Sequence, residues 1–254
     1  MPVTNPVKAK LDADEPVFGP WVASLSPRSA ETLGAAGVDW IGIDMEHTPA
    51  TATDIEAIVR GAERHDVPAI VRLSSVDHAA GGGAKRALDA GAKGLIIPRV
   101  ESAEDAERAV RAARFPPQGD RGVAGSVRAN NHGEQFDDYV ESANDVILVI
   151  VQIETKTAVE RVDEILAVDG IDVAFIGEND LSTTYGNPGE KDRPEVREAV
   201  RTIRETAAEH DIHAGIVAGE PDRIERRIDA GFRVFLLGGD LGFLREGVRS
   251  VLPG

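Results

Sequence analysis

The stretch DWIGIDMEH, Asp39–His47, starts as a buried strand and ends in charge. Ile41 and Ile43 are apolar and β-branched and belong inside a protein. Asp44, Glu46 and His47 do not, unless the end of that strand is where polar groups are used. The same grammar recurs along the chain. Short apolar runs read as strands at 17–24, 39–45, 68–73, 93–99, 146–154, 172–177, 213–218 and 233–239. Helical patterns lie between and after them at 27–36, 53–65, 84–90, 103–114, 157–167, 194–209, 221–230 and 241–251. Several of these close on glycine, as at Ala36-Gly37, Ala90-Gly91 and Ala230-Gly231.

Strands that alternate with helices imply parallel pairing through right-handed crossovers. Eight such units in 254 residues predict a closed (β/α)8 barrel, a TIM barrel, as one domain over 1–254. Residues 1–16 read as a flexible N-terminal arm. An open doubly wound sheet is the alternative, but no Gly-x-Gly-x-x-Gly follows the first strand. Segment 115–145 breaks the rhythm and predicts a long loop with one short helical piece near Phe136–Ser142.

The formal net charge is -16, with 44 acidic against 28 basic residues, only six of them lysine. Such a surface argues against nucleic acid and anionic membranes as partners and suits a high-salt cytoplasm, so a halophilic protein is expected. Cysteine is absent, which excludes disulfides, thiolate catalysis and Cys-type zinc sites. Aromatics are 4%, so Val, Ile, Leu and Ala are expected to fill the core. The N-terminal stretch lacks the apolar run of a secretory signal, and no run approaches a membrane span; a soluble, cytoplasmic protein is expected.

Reactive groups of a (β/α)8 barrel project from the C-terminal ends of its strands. Asp44, Glu46 and His47 end the second strand, Arg72 the third and Arg99 the fourth. Gln152 and Glu154 end the fifth; Glu178, Asn179 and Asp180 follow the sixth, and Asp240 the eighth. Singly, each has an ordinary explanation: a helix cap for Asp44 or Asp180, an ion pair for Arg72, a loop histidine for His47. Together they mark one mouth. Glu154 and Asp180 on adjacent strands suit a hard divalent cation, Mg²⁺ or Mn²⁺ with Co²⁺ as an alternative, which keeps waters and takes substrate oxygens. A chelated 2-oxo acid would be enolised there, with Arg72 facing the oxyanion and His47 moving a proton. The Gly177-Glu178-Asn179-Asp180 turn offers backbone N–H groups to a carboxylate.

The motifs GPWVASLSP (19–27), AGVDWIGIDMEH (36–47), VRL (71–73), LDAGAKGLIIPRV (88–100), FPPQGDRGVAGS (115–126), VQIET (151–155) and IDVAFIGENDLS (171–182) together resemble the HpcH/HpaI aldolase family. These are metal-dependent pyruvate aldolases, such as 4-hydroxy-2-oxoheptanedioate aldolase and 2-keto-3-deoxy-L-rhamnonate aldolase. The resemblance spans Phe18 to Gly247. It implies Glu154 and Asp180 as metal ligands and His47 as base in a dyad with Asp89. It implies Arg72 on the keto or enolate oxygen, Asp44 as a supporting carboxylate, and Gln152 near the bound acid. Gly177, Asn179 and Asp180 would receive the carboxylate, Trp21 would line the pocket, and Arg121 and Ser126 would border it. A buried core Trp and a structural ion pair remain alternatives for Trp21 and Arg121. The resemblance further implies a homohexamer whose dimers exchange the last helix. The family pattern usually has Gly-Pro and a small residue before Asp-Leu-Ser; here Glu178 and Asn179 stand instead, and Glu178 is expected to add negative charge near the metal turn. The Gly-rich loop at 74–85 also departs from it.

The expected reaction is reversible cleavage of a 4-hydroxy-2-oxo acid to pyruvate and an aldehyde. A Schiff-base aldolase would need a desolvated lysine, for which Lys156 is the position. A carbon–carbon lyase acting on CoA thioesters would need a basic cluster for phosphates, and none is evident in the sequence. A non-catalytic, metabolite-binding barrel is the remaining alternative.

Overall fold

The computed structural model describes residues 4–253, leaving the first three residues of the expected arm outside the described residues. Eight strands, β1 (Val17–Trp21), β2 (Ile41–Asp44), β3 (Ala69–Arg72), β4 (Gly94–Ile97), β5 (Leu148–Ile153), β6 (Val173–Ile176), β7 (His213–Val217) and β8 (Phe232–Gly239), form a closed barrel in chain order. All pairs are parallel, and β8 closes onto β1. The open-sheet alternative is thereby set aside.

The apolar runs do not alternate with polar residues because each strand is covered on both faces. Successive side chains still point opposite ways, and two separate apolar cores result. Trp40, Ile70, Ile96, Ile150, Val173, Phe175, Val234 and Leu236 belong to the bore. Val71, Leu95, Ile97, Val149, Val151 and Ile216 face the helices. Aliphatic residues make up most of the outer layer, as composition suggested, with Phe115, Tyr139, Phe232 and Phe235 among them, and the bore takes Trp40 and Phe175. Trp40 is fully buried and meets Trp21 edge-on, with centroids 6.4 Å apart. Strand glycines make that room: a Cβ on Gly19 would lie 2.5 Å from the Trp40 carbonyl oxygen and collide with its ring.

The N-terminal arm is ordered rather than flexible from Asn5 onward. Pro6–Asp12 is a helix capped by Asn5, and its Val7 and Leu11 sit in the bore cluster, where apolar surface escapes water. Asn5 Nδ2 also donates to the carbonyls of Lys93 (2.9 Å) and Val146 (2.8 Å). Lys8 pairs with Asp172 and Lys10 with Asp39. The helix therefore stoppers the end of the barrel opposite the C-terminal strand ends.

Segment 115–145 is also more ordered than expected. A short turn of 3-10 type, Arg128–Gly133, leads into a helix at Phe136–Val146, so β5 begins later than the apolar run does. The last helix, Asp240–Val251, buries none of its residues, and Leu241, Leu244, Val248 and Val251 are exposed.

Candidate active site

Asp44 and Arg72 close β2 and β3 in direct register. Arg72 Nε and Nη2 donate to the two Asp44 carboxylate oxygens at 2.9 and 2.8 Å, a bidentate grip that fixes the guanidinium plane. The same carboxylate accepts from the backbone N–H groups of Glu46 (2.9 Å) and His47 (3.4 Å), turning the chain sharply after β2. Burial pushes Asp44 upward, but Arg72 and those N–H groups outweigh it and hold the carboxyl below its usual range. Arg72 lies over the Trp21 ring, 4.8 Å from its centroid.

That turn brings Glu46 inward. Its Oε2 is 3.0 Å from Arg72 Nη1 and 3.6 Å from His47 Nε2, yet this buried oxygen has no hydrogen-bond donor. Desolvation raises the Glu46 carboxyl, and Asp44 and Asp180 raise it further against Arg72 and His47. The sequence puts Glu46 at this mouth without a role; the structure sets it between Arg72 and His47.

Glu154 follows β5 and is 1% exposed. It accepts from the Arg99 backbone N–H at 2.8 Å and from Gln152 Nε2. Burial raises its carboxyl from 4.5 to about 7, opposed by the Arg99 N–H and reinforced by the charges of Glu46 and Asp180. Gly177 lets this happen: a Cβ there would collide with Glu154 and lie 2.9 Å from Gln152 Nε2. A cavity of about 160 Å³ is lined by Trp21, His47, Arg72, Gln152, Gly177, Asn179 and Asp180, with Lys191 at its rim. Asp180 is among the charges that raise both Glu46 and Glu154, yet among the described residues no three or more His, Asp or Glu side chains gather closely enough to form a metal cluster by themselves, so a hard cation held here would take oxygens from water and substrate as well. Glu154 and Asp180 are the residues that would hold it.

Four expected residues stand differently within this chain. Asp89 does not meet His47 within this chain. It ends the helix Ala84–Asp89, which runs opposite to the strands and carries it away from their C-terminal ends. There it accepts from Arg121 Nη2 at 2.9 Å. Arg121 does not border the cavity; its side chain is fully buried, bonded to the Tyr139 hydroxyl and stacked over Phe115. Ser126 is exposed and donates to the His132 carbonyl. Glu178 does not load the metal turn with free charge, because Arg223 (2.7 Å) and Arg227 (3.2 Å) pair with it.

The remaining candidates sort plainly. Asp240 accepts from the Ala23 N–H at 2.9 Å and joins the ends of β8 and β1. Lys156 is exposed, pairs with Glu160 at 3.8 Å, and does not line the cavity, so the Schiff-base alternative loses its lysine. The basic cluster not evident in the sequence does exist: Lys191, Arg193, Arg197, Arg223, Arg226 and Arg227 line a neighbouring cavity.

The sequence profile of the HpcH/HpaI aldolase/citrate lyase family matches residues 18–246. A hydroxypyruvate/pyruvate aldolase from Paraburkholderia phytofirmans is 38% identical over 255 residues, covering 98% of this chain and 96% of that protein. A 5-keto-4-deoxy-D-glucarate aldolase from an Enterobacter species is 37% identical over 247 residues, covering 97% and 95%. The crystal structure of an HpcH/HpaI aldolase/citrate lyase family protein from Burkholderia cenocepacia superposes with a TM-score of 0.91 at 37% identity, over 97% of each chain. With likeness running through nearly all of the barrel and its strand-end motifs, the chain belongs to the HpcH/HpaI aldolase/citrate lyase family, and it is a carbon–carbon lyase.

Proposed function

We propose that the protein is a divalent-metal-dependent aldolase that reversibly cleaves a 4-hydroxy-2-oxo acid, of the 2-keto-3-deoxy sugar acid type, to pyruvate and an aldehyde. The observation that carries this is Arg72, clamped by Asp44 and lining one cavity with His47, Gln152 and Asp180, while the buried Glu154 carboxyl feels the charges of Arg72, Glu46 and Asp180. The relatives named above are pyruvate and sugar-acid aldolases, which supports the substrate class. Mg²⁺, Mn²⁺ or Co²⁺ held by Glu154 and Asp180 would polarise the keto group of the bound acid.

The chain's own residues do the rest. Arg72, locked by Asp44, presents a fixed positive charge where the enolate oxygen develops, with no reorganisation needed as the charge appears. Gln152 and the Asn179 turn line the side that takes the acid. His47, 63% exposed at the cavity rim, moves the proton, with Glu46 rather than Asp89 as the carboxylate beside it. Trp21 closes the wall under Arg72.

EDTA should abolish cleavage and pyruvate methyl-deuterium exchange, and added Mn²⁺ or Mg²⁺ should restore both. Activity that survives EDTA, or trapping of pyruvate on Lys156 by borohydride, would overturn the proposal. Homohexamer assembly through the exposed face of Asp240–Val251 goes with this reading and is checked by light scattering. A cytoplasmic location accompanies it, as pyruvate is made and used there; among the described residues no helix is long and apolar enough to cross a membrane.

A further inference from the structure

The mouth cavity, about 160 Å³, has little room beyond a pyruvate-sized half of the substrate. The aldehyde half has to leave it. Two of its lining residues, Glu178 and Lys191, are shared with a second cavity of about 1140 Å³. That cavity runs between the start of the helix Pro194–Glu209, the turn before it, and the helix Pro221–Asp229. Its wall carries Lys191, Arg193, Arg197, Arg223, Arg226 and Arg227 against Glu178, Glu190 and Asp192. In a chain of net charge -16 this is a local reversal of sign.

The cations are not all spent on one another's neighbours. Arg223 and Arg227 hold Glu178, Arg197 holds Asp192 at 3.1 Å, and Arg193 holds Glu195 at 2.9 Å. Among the described residues, Lys191 and Arg226 have no side-chain hydrogen bond or ion pair. Lys191 stands where the two cavities meet, and Arg226 lies farther along the groove. Glu178, buried between them, fixes the wall by gripping two arginines of the facing helix.

We infer that this groove receives the far end of the aldehyde half, and that the preferred substrates carry an anionic group there, a carboxylate or a phosphate. Lys191 reads that group at the junction and Arg226 extends the positive field outward. The inference rests on the aldolase reading and adds the class of aldehyde.

Two matched pairs test it in the synthetic direction: 5-oxopentanoate against 5-oxopentanamide for a carboxylate, and glyceraldehyde 3-phosphate against glyceraldehyde for a phosphate. The charged member of at least one pair should show a kcat/KM about tenfold higher or more, the scale of one charge-assisted contact. Lys191→Gln should bring that ratio towards one, Lys191→Arg should retain it, and Arg226→Ala should lower it partly. Equal rates within both pairs, or a ratio unmoved by Lys191→Gln, would overturn the inference. Deuterium exchange into pyruvate needs no aldehyde, so it reports separately on the aldolase reading itself.

Discussion

Glu154 is a carboxyl kept out of water without a cationic side chain bonded to it. In the unfolded chain it ionises near 4.5; in the fold it holds its proton to about 7. Below the lower value both states are protonated and pH has no effect. Between the two, the unfolded chain has lost the proton that the fold keeps, so metal-free stability falls as pH rises. The loss is complete above about 7 and amounts to about 3 kcal/mol. Glu154→Gln should flatten that slope and leave the metal-free protein more stable above neutrality. Urea midpoints in EDTA between about pH 5 and 8 check it; a variant with an unchanged slope would show that another group titrates. Asp44, Arg72, Gln152, Glu154 and Asp180 were legible because each sits at or just past a strand end, where barrel geometry dictates the mouth. Glu46 was not. It lies in a turn, where strand alternation no longer sets direction, and the turn exists because the Asp44 carboxylate collects two N–H groups. Nor was the neutralisation of Glu178, whose arginines lie 45 and 49 residues away.

At the scale of elements, apolar runs bounded by turn residues located every strand to within a few residues. The helix Pro194–Glu209 falls where its pattern placed it. One helix and one residue were misplaced. The helix Pro6–Asp12 has too few apolar residues to declare itself; its value comes from where Val7 and Leu11 land. Leu11→Ala should cost about 2–4 kcal/mol, as a buried leucine does when its cavity cannot collapse. Asn5→Ala should cost about 1–2 kcal/mol through the lost cap and the two lost carbonyl contacts. Chemical denaturation measures both; a neutral Leu11→Ala would mean the stopper contributes nothing. Asp89 is the other lesson. It ends a helix rather than a strand, so the polarity of a β/α unit, already readable in the sequence, directs it away from the mouth.

For the whole molecule, charge and closure matter most. With a net charge of -16, self-repulsion opposes the compact state. Raising KCl from about 0.1 to 1 M shortens the screening length from about 10 to 3 Å. The thermal midpoint should therefore rise by several degrees over that range, and a falling midpoint would remove the case for salt adaptation. Composition shows this pressure directly, whereas the barrel had to be built from eight local readings. What composition concealed was the bore, which takes both tryptophans of an aromatic-poor chain because Gly19 and Gly42 leave space beside them.

The stopper at the barrel floor has a consequence for synthesis. The ribosome makes Val7 and Leu11 before any stave of the cylinder they seal, and β8, which completes the wall, emerges last. A nascent chain halted short of β8 is thus an unclosed trough with a greasy lining and a loose plug. Premature termination should yield aggregates rather than a smaller working protein.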